Sequence, residues 1–175
     1  SNRIVIPTVK GLRAEGIEYQ GFIFFGLINV KGEPYVIEYN CRLGDPETEV
    51  VMPRLKSDLL DLFEGIASDT LSERDVEIDP RTVSTVMLVS GGYPEAYENG
   101  KTISIEPLEK DTVAFHAGTK TEAGKTVSAG GRVIAVSAYG KDIPSSVKKA
   151  YEMVDRISYE GMNFRKDIGQ DLIKK

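Results

Sequence analysis

A short polar row interrupts an otherwise apolar stretch of the chain. Glu38, Asn40 and Arg42 alternate with less polar neighbours. In an extended strand alternate side chains point to the same face, and a rise of about 3.3 Å per residue places them about 6.5–7 Å apart along the strand. A carboxylate and an amide oxygen at that spacing can both reach one hard cation. The guanidinium can then reach an anion that the cation holds.

The oxygen types in this row favour magnesium. Mg²⁺ accepts carboxylate, amide and water oxygens, and it often takes few protein ligands because substrate phosphates supply others. Glu38 lies in an apolar strand, where an unpaired buried carboxylate is costly unless a cation or hydrogen-bond donors compensate it. The alternative is an ion pair between Glu38 and Arg42 at a sheet edge, with Asn40 satisfying backbone groups. The spacing alone leaves both arrangements open.

A β-hairpin is predicted to carry the row. Residues 22–30 form a nearly unbroken apolar run rich in aromatic and branched side chains, which favours a strand covered on both faces. Residues 31–34 form a turn, and a second strand is expected from Tyr35 to about Asn40.

Two helices are expected to flank this hairpin in the sequence. The first begins near Val5, has Pro7 in its first turn and ends before Gly16. Ser57 is expected to cap the second helix. Its predicted apolar face has helical spacing and comprises Leu59, Leu62, Phe63 and Ile66.

The second half of the chain reads as a compact α+β unit. Residues 67–81 are polar and acidic and are predicted to form a domain boundary or a surface connection. A helix capped by Asp142 is expected to extend to about Tyr159, with Ile157 in its buried stripe. Strands separated by glycine-containing turns are predicted at 82–90, 102–105, 113–117, 126–128 and 132–139. Such a pattern is typical of a mostly antiparallel sheet with one long helix packed on it.

Composition excludes several classes of protein. The 175 residues carry a formal net charge of −5, whereas nucleic-acid binding usually leaves a basic footprint. One cysteine and one histidine exclude a disulfide framework, a cysteine-rich zinc site and a two-histidine metal site. The apolar runs are too short for a membrane helix. We therefore expect a cytoplasmic protein that binds neither nucleic acid nor membrane.

Residues 38–48 read Glu-Tyr-Asn-Cys-Arg-Leu-Gly-Asp-Pro-Glu-Thr and resemble the signature of the phosphoribosylamine–glycine ligase (glycinamide ribonucleotide synthetase) family, a branch of the ATP-grasp superfamily. The resemblance extends in order from about Ile4 to Leu172. Further segments that look like this family are 7–11, 90–94, 116–119, 130–133 and 165–169.

The resemblance implies an α+β fold in two parts. Residues 1–66 would be the end of an ATP-grasp core, with antiparallel strands, a helix and the metal-binding strand. Residues 82–172 would be the small, mostly antiparallel C-terminal domain. The family is longer than this chain, so the lid and the groups that hold ATP are expected upstream. The isolated chain is accordingly expected to be inactive.

The resemblance also implies a reaction and its residues. The family joins glycine to 5-phosphoribosylamine with ATP as co-substrate, through an acyl phosphate, in purine biosynthesis. Glu38 and Asn40 match the ligands of Mg²⁺ or Mn²⁺, and Arg42 matches a residue that contacts the phosphate or acyl phosphate. Asp45 is expected to orient a substrate amine or hold the Arg42 loop. A monomer acting on small molecules is expected.

Two other interpretations stay open at the level of sequence. One is a fragment of a different ATP-grasp ligase or carboxylase. The other is a non-catalytic docking module, which would have no need for three metal- and phosphate-compatible groups in register.

Overall fold

The computed structural model describes residues 2–173, which fold into two compact units. One unit comprises the residues up to Asp45 together with Ser57–Glu77, and the other comprises Pro46–Lys56 with the residues from Ile78 onward. The helices within the described range are α1 (Val5–Ala14), α2 (Thr48–Val51), α3 (Leu59–Ala67), α4 (Ile143–Val154) and α5 (Gln170–Ile173). The strands there are β1 (Phe24–Val30), β2 (Glu33–Asn40), β3 (Thr82–Val89), β4 (Ser104–Ile105), β5 (Thr112–His116), β6 (Thr119–Glu122), β7 (Lys125–Ser128), β8 (Arg132–Gly140) and β9 (Ile157–Ser158). Two 3₁₀ turns lie at Met52–Arg54 and Leu71–Glu73.

The predicted hairpin forms from β1 and β2, which pair antiparallel. Its turn consists of Lys31 and Gly32, whose φ angles of 53° and 90° are both positive. Positive φ at both central residues matches the twist of the flanking strands and favours a two-residue turn. Because the turn is this tight, β2 begins at Glu33, two residues before the predicted start at Tyr35.

The prediction that the first strand is covered on both faces is wrong for this chain. Leu27 and Ile28 of β1 are 47% and 49% exposed, and Ile37 of β2 is 65% exposed. The physical reason is that the sheet containing β1 is two strands wide in the described part of the chain. A hairpin of this width leaves much of its apolar surface open.

The cap of α3 differs from the prediction by one residue. The side chain of Asp58, not Ser57, accepts hydrogen bonds from backbone N–H groups in the first turn. Ser57 is used elsewhere: its hydroxyl donates to the carbonyl of Asp75 at 2.9 Å and accepts from the N–H of Glu77 at 2.7 Å. Both side chains can cap a helix, so the choice depends on the path of residues 75–77, which engage Ser57.

The second unit has the predicted architecture. Strand β8 lies between β3 and β5 in an antiparallel sheet, and α4 packs against it. Asp142 caps α4, as predicted, and the structure shows that the cap is a reciprocal capping box with Ser145. The core side chains that are fully buried between sheet and helix include Val86, Leu88, Ile134, Val136, Met153 and Val154.

Two short strands differ from the prediction. Helix α4 ends at Val154 rather than near Tyr159, and Ile157 is buried in β9, where it pairs with Ile105. Strand β6 was not expected, because its side chains are polar and mostly exposed and lack an apolar alternation. None of the helices in residues 2–173 is long and apolar enough to cross a membrane.

Arg81 organises a charged cluster at the start of β3. It forms ion pairs with Asp79 at 2.7 Å and Asp111 at 2.9 Å, and its guanidinium lies 4.2 Å from the ring centroid of Tyr139. The Tyr139 hydroxyl donates to the carbonyl of Pro53. The cluster therefore joins the polypeptide before β3 to the central strand of the sheet.

Replacement of Asp79 should make the free energy of unfolding change less as the pH falls below about 4. Hydrogen bonds from Arg81 lower the pKa of Asp79 from 3.8 to about 2. Because the folded pKa is below the unfolded one, the carboxylate stabilises the fold above about pH 4, and this contribution disappears as the pH falls towards 2. We expect Asp79→Asn to lower the free energy of unfolding at neutral pH, with the difference from the parent shrinking below about pH 4.

Urea unfolding of the chain at several pH values, followed by circular dichroism, measures this difference. Asp75→Asn is a matched control in the same connecting segment and is expected to have little effect. A difference between Asp79→Asn and the parent that stays constant down to pH 2 would contradict the role of the Arg81 contact.

Candidate metal and phosphate site

Strand β2 places Glu38 and Asn40 on the same face of the hairpin. The side-chain amide of Asn40 donates from Nδ2 to Oε1 of Glu38 at 3.0 Å. Tyr39 points to the other face, where its ring packs edge-on against Phe25 with centroids 5.4 Å apart and its hydroxyl lies 3.3 Å from that of Thr8. The predicted alternation is therefore present in the fold.

Arg42 extends this row past the end of the strand. Its Nη2 donates to Oδ1 of Asn40 at 3.4 Å, and its Nη1 donates to the carbonyl of Leu43 at 2.7 Å. Glu38, Asn40 and Arg42, here called the polar row, are thus joined by hydrogen bonds in sequence order. The guanidinium keeps further N–H groups that could bind an anion.

The alternative arrangement assigned Asn40 to backbone groups. Instead, its amide forms hydrogen bonds with the side chains of Glu38 and Arg42 and lies between them. Glu38 is exposed in this chain, so the expectation of a buried carboxylate is not met. The case for a cation at this face comes from the geometry of the row.

Asp45 lies beyond the polar row. It is exposed, follows the buried Gly44 and precedes Pro46 and α2. Its predicted contribution, orienting an amine or holding the Arg42 loop, stays a prediction.

The spacing within the polar row fits a small hard cation. Mg²⁺ binds oxygen at about 2.0–2.1 Å in octahedral geometry, so that oxygens in adjacent positions are about 3 Å apart. The terminal atoms of Glu38 and Asn40 are already 3.0 Å apart. Rotation of the amide by 180° would present its oxygen beside the carboxylate, where a cation between them would take the place of the two hydrogen bonds that Asn40 forms with Glu38 and Arg42. The described residues contain no cluster of three or more His, Cys, Asp or Glu side chains suited to a metal, so this site would rely on few protein ligands.

Sequence reasoning overlooked Gly26, the residue opposite Glu38 in the hairpin. A β-carbon at Gly26 would lie 2.8 Å from Cγ of Glu38. The available signal was a glycine inside an apolar strand, which often marks a bulge or a close approach. The strand pairing is indeed irregular between Gly26 and Leu27.

Two family models match the chain. The model for the phosphoribosylglycinamide synthetase ATP-grasp (A) domain matches residues 1–48, and the model for the C domain of the same family matches residues 83–171. The polar row lies inside the first match. The antiparallel sheet and α4 lie inside the second.

Curated relatives are longer than this chain and match it over nearly its whole length. A phosphoribosylamine–glycine ligase of Chlorobaculum tepidum is 43% identical over 95% of this chain and 40% of its own length. A bifunctional purine biosynthetic protein of Pichia angusta is 45% identical over 98% of this chain and 22% of its own length. The chain spans about 40% of the length of the single-function relatives that it matches.

Solved structures give a consistent result. The crystal structure of phosphoribosylamine–glycine ligase from Thermotoga maritima aligns with a TM-score of 0.74 and 34% identity, covering 91% of this chain and 40% of that one. A biotin carboxylase complex from Campylobacter jejuni aligns with a TM-score of 0.64 over 99% of this chain and 39% of that one. At 15% identity the second likeness concerns the fold alone.

Replacement of Asn40 by aspartate should make the melting temperature of the protein depend on a divalent cation. Two carboxylates about 3 Å apart repel each other, which favours protonation of one of them unless a cation lies between them. We expect Asn40→Asp to have a lower melting temperature than the parent in EDTA at neutral pH. We also expect it to gain more from excess Mg²⁺ than the parent does.

Thermal unfolding with EDTA and with excess Mg²⁺ tests this expectation. Asn29→Asp is a control in the same hairpin, because Asn29 uses its side-chain oxygen to accept from the N–H of Gly32 at 2.8 Å and aspartate can do the same. Equal gains from Mg²⁺ in the two variants would count against a cation site at Glu38.

Proposed function

The chain belongs to the phosphoribosylglycinamide synthetase family, and on that premise we propose that it is part of an ATP-dependent ligase that joins glycine to 5-phosphoribosylamine. The products would be glycinamide ribonucleotide, ADP and phosphate. The observation that carries the proposal is the polar row, in which a carboxylate, an amide and a guanidinium are hydrogen-bonded in register within the ATP-grasp match.

We assign the two parts of the chain to the two family domains. Residues 1–66 would complete an ATP-grasp core, and residues 82–172 would form the C-terminal domain. The family matches at 1–48 and 83–171 lie within these two parts, whereas Pro46–Lys56, inside the first range, belongs to the second compact unit. Because the chain covers 40% of a typical relative, most groups that bind ATP would lie in the remainder of the ligase, and the isolated chain would be inactive. The ligase would be a cytoplasmic monomer.

The proposed reaction has two steps. The glycine carboxylate attacks the γ-phosphorus of ATP, the bond to the β-phosphate oxygen breaks, and ADP leaves. The amine of 5-phosphoribosylamine then attacks the carbonyl carbon of the acyl phosphate, loses a proton and expels phosphate. Both steps bring anions together, so positioning and charge stabilisation supply the catalysis.

The polar row is suited to these requirements. Glu38 and Asn40 would hold Mg²⁺ or Mn²⁺, which when bound offsets the charge of the phosphates. Arg42, anchored through the Leu43 carbonyl, would direct its remaining N–H groups towards the transferring phosphoryl or the acyl phosphate. Asp45 would orient the substrate amine or hold the Arg42 loop.

A carboxylase or another ATP-grasp ligase is a weaker candidate. The similarity to biotin carboxylase is confined to the fold at 15% identity. A docking module would not require the hydrogen-bonded order of the polar row. The family match favours the glycine ligase.

Replacement of Glu38 by glutamine in the full-length ligase should abolish most of its activity. The change removes a ligand charge without altering volume, so the fold should persist. We expect glycine-dependent ADP formation to fall by about 100-fold, a loss typical of removing one electrostatic contact to a transition state. Coupled assay of ADP release measures the rate, and circular dichroism checks the fold.

Glu33→Gln is the matched control, since Glu33 lies at the opposite end of the same strand and pairs with Arg3. This variant is expected to keep the parental rate. Near-parental turnover in Glu38→Gln would refute the metal assignment.

Replacement of Arg42 by lysine separates charge from geometry. Lysine keeps the positive charge but loses the planar fork that can bind a phosphate with two parallel hydrogen bonds. We expect kcat to fall while the Mg²⁺ concentration for half-maximal rate stays close to that of the parent. A parental kcat in this variant would remove Arg42 from the proposed phosphate contact.

A further inference from the structure

We propose that Gly26 is a positioning residue that directs the carboxylate of Glu38 towards Asn40. The inference rests on the proposed function, because it concerns the same cation site. Gly26 would act by leaving unoccupied the space that the Glu38 side chain crosses. It would touch neither substrate nor metal itself.

The pairing of the hairpin brings the two residues face to face. Gly26 is the register partner of Glu38 across the antiparallel strands. Directly opposed residues in such a pair share one face of the sheet, so their side chains compete for the same space. A β-carbon on Gly26 would lie 2.8 Å from Cγ of Glu38, closer than real contacts of this type.

The backbone would tolerate this β-carbon. It would lie 3.5 Å from the carbonyl oxygen and 3.6 Å from the nitrogen of Glu38, which are ordinary contact distances. Gly26 is also absent from the described glycines whose φ is positive, so an alanine there needs no change in backbone conformation. The conflict is therefore confined to the glutamate side chain.

Relief of that conflict would move the carboxylate. Cγ is the first atom set by χ1 of Glu38, and a change of χ1 well carries the whole carboxylate to a new position. The 3.0 Å contact with Asn40 would then be lost. Glycine weakens a strand interior, so its presence opposite Glu38 is accounted for by the room that this rotamer needs.

Gly26→Ala in the full-length ligase tests the proposal. We expect the Mg²⁺ concentration for half-maximal rate to rise by about 10-fold or more, as is typical when a residue that orients a metal ligand is changed. The KM for 5-phosphoribosylamine at saturating Mg²⁺ should stay close to the parental value. In a Glu38→Gln background, Gly26→Ala should cause no further loss of rate, because it acts through the carboxylate.

Gly11→Ala is the control for adding a methyl group to a glycine. Gly11 lies in α1, and a β-carbon there meets nothing within 4 Å. Its Mg²⁺ dependence should match that of the parent. An unchanged Mg²⁺ dependence in Gly26→Ala, beside an altered one in Glu38→Gln, would overturn the role of Gly26 and leave the proposed function standing. Unchanged behaviour in Glu38→Gln would instead refute the proposed site.

Thermal unfolding covers the case in which Gly26→Ala fails to fold. Glu38→Ala removes Cγ and with it the predicted conflict. Recovery of folding in the double variant Gly26→Ala/Glu38→Ala, to the level of Glu38→Ala, would support the proposal. Equal destabilisation by Gly26→Ala with and without Cγ at residue 38 would overturn it, because the strand itself would then reject the methyl group.

Discussion

The antiparallel pairing of β1 with β2 is the constraint on which the candidate site depends. Pairing holds β2 extended, and extension places Glu38 and Asn40 on one face while Tyr39 faces the other. The tight turn at Lys31 and Gly32 sets the register of the two strands. A slip of one residue would send the whole polar row to the opposite face.

The two units differ in how well their apolar side chains are buried. The second unit has a continuous core in which β8 is covered by α4 and bordered by β3 and β5. The hairpin of the first unit exposes large apolar side chains, such as Ile37 at 65%. The polar row therefore lies on the less well covered unit.

Much of the fold could be predicted because local patterns and tertiary packing agree. The alternation of the polar row, the cap at Asp142 and the positions of the main strands along the second half are all local signals. The errors occur where local signals are equivalent or weak. Ser57 and Asp58 are both good caps, and the hydrogen bond of Ser57 to the Asp75 carbonyl leaves the cap to Asp58. Ile157 fits a helical stripe as well as a strand, and its pairing with Ile105 places it in a strand.

The sequence by itself determined the types and the order of the groups in the site, and with them the family resemblance. Period-two alternation requires only that residues 38–42 be extended, which their apolar neighbours and the adjacent turn favour. Tertiary structure alone decided that Asn40 bridges Glu38 and Arg42, and that Gly26 lies opposite Glu38. The first fact depends on side-chain rotamers along one strand, which pairing with β1 holds extended. The second depends on cross-strand register, which arises only when two segments separated in the chain are brought to within a few ångströms.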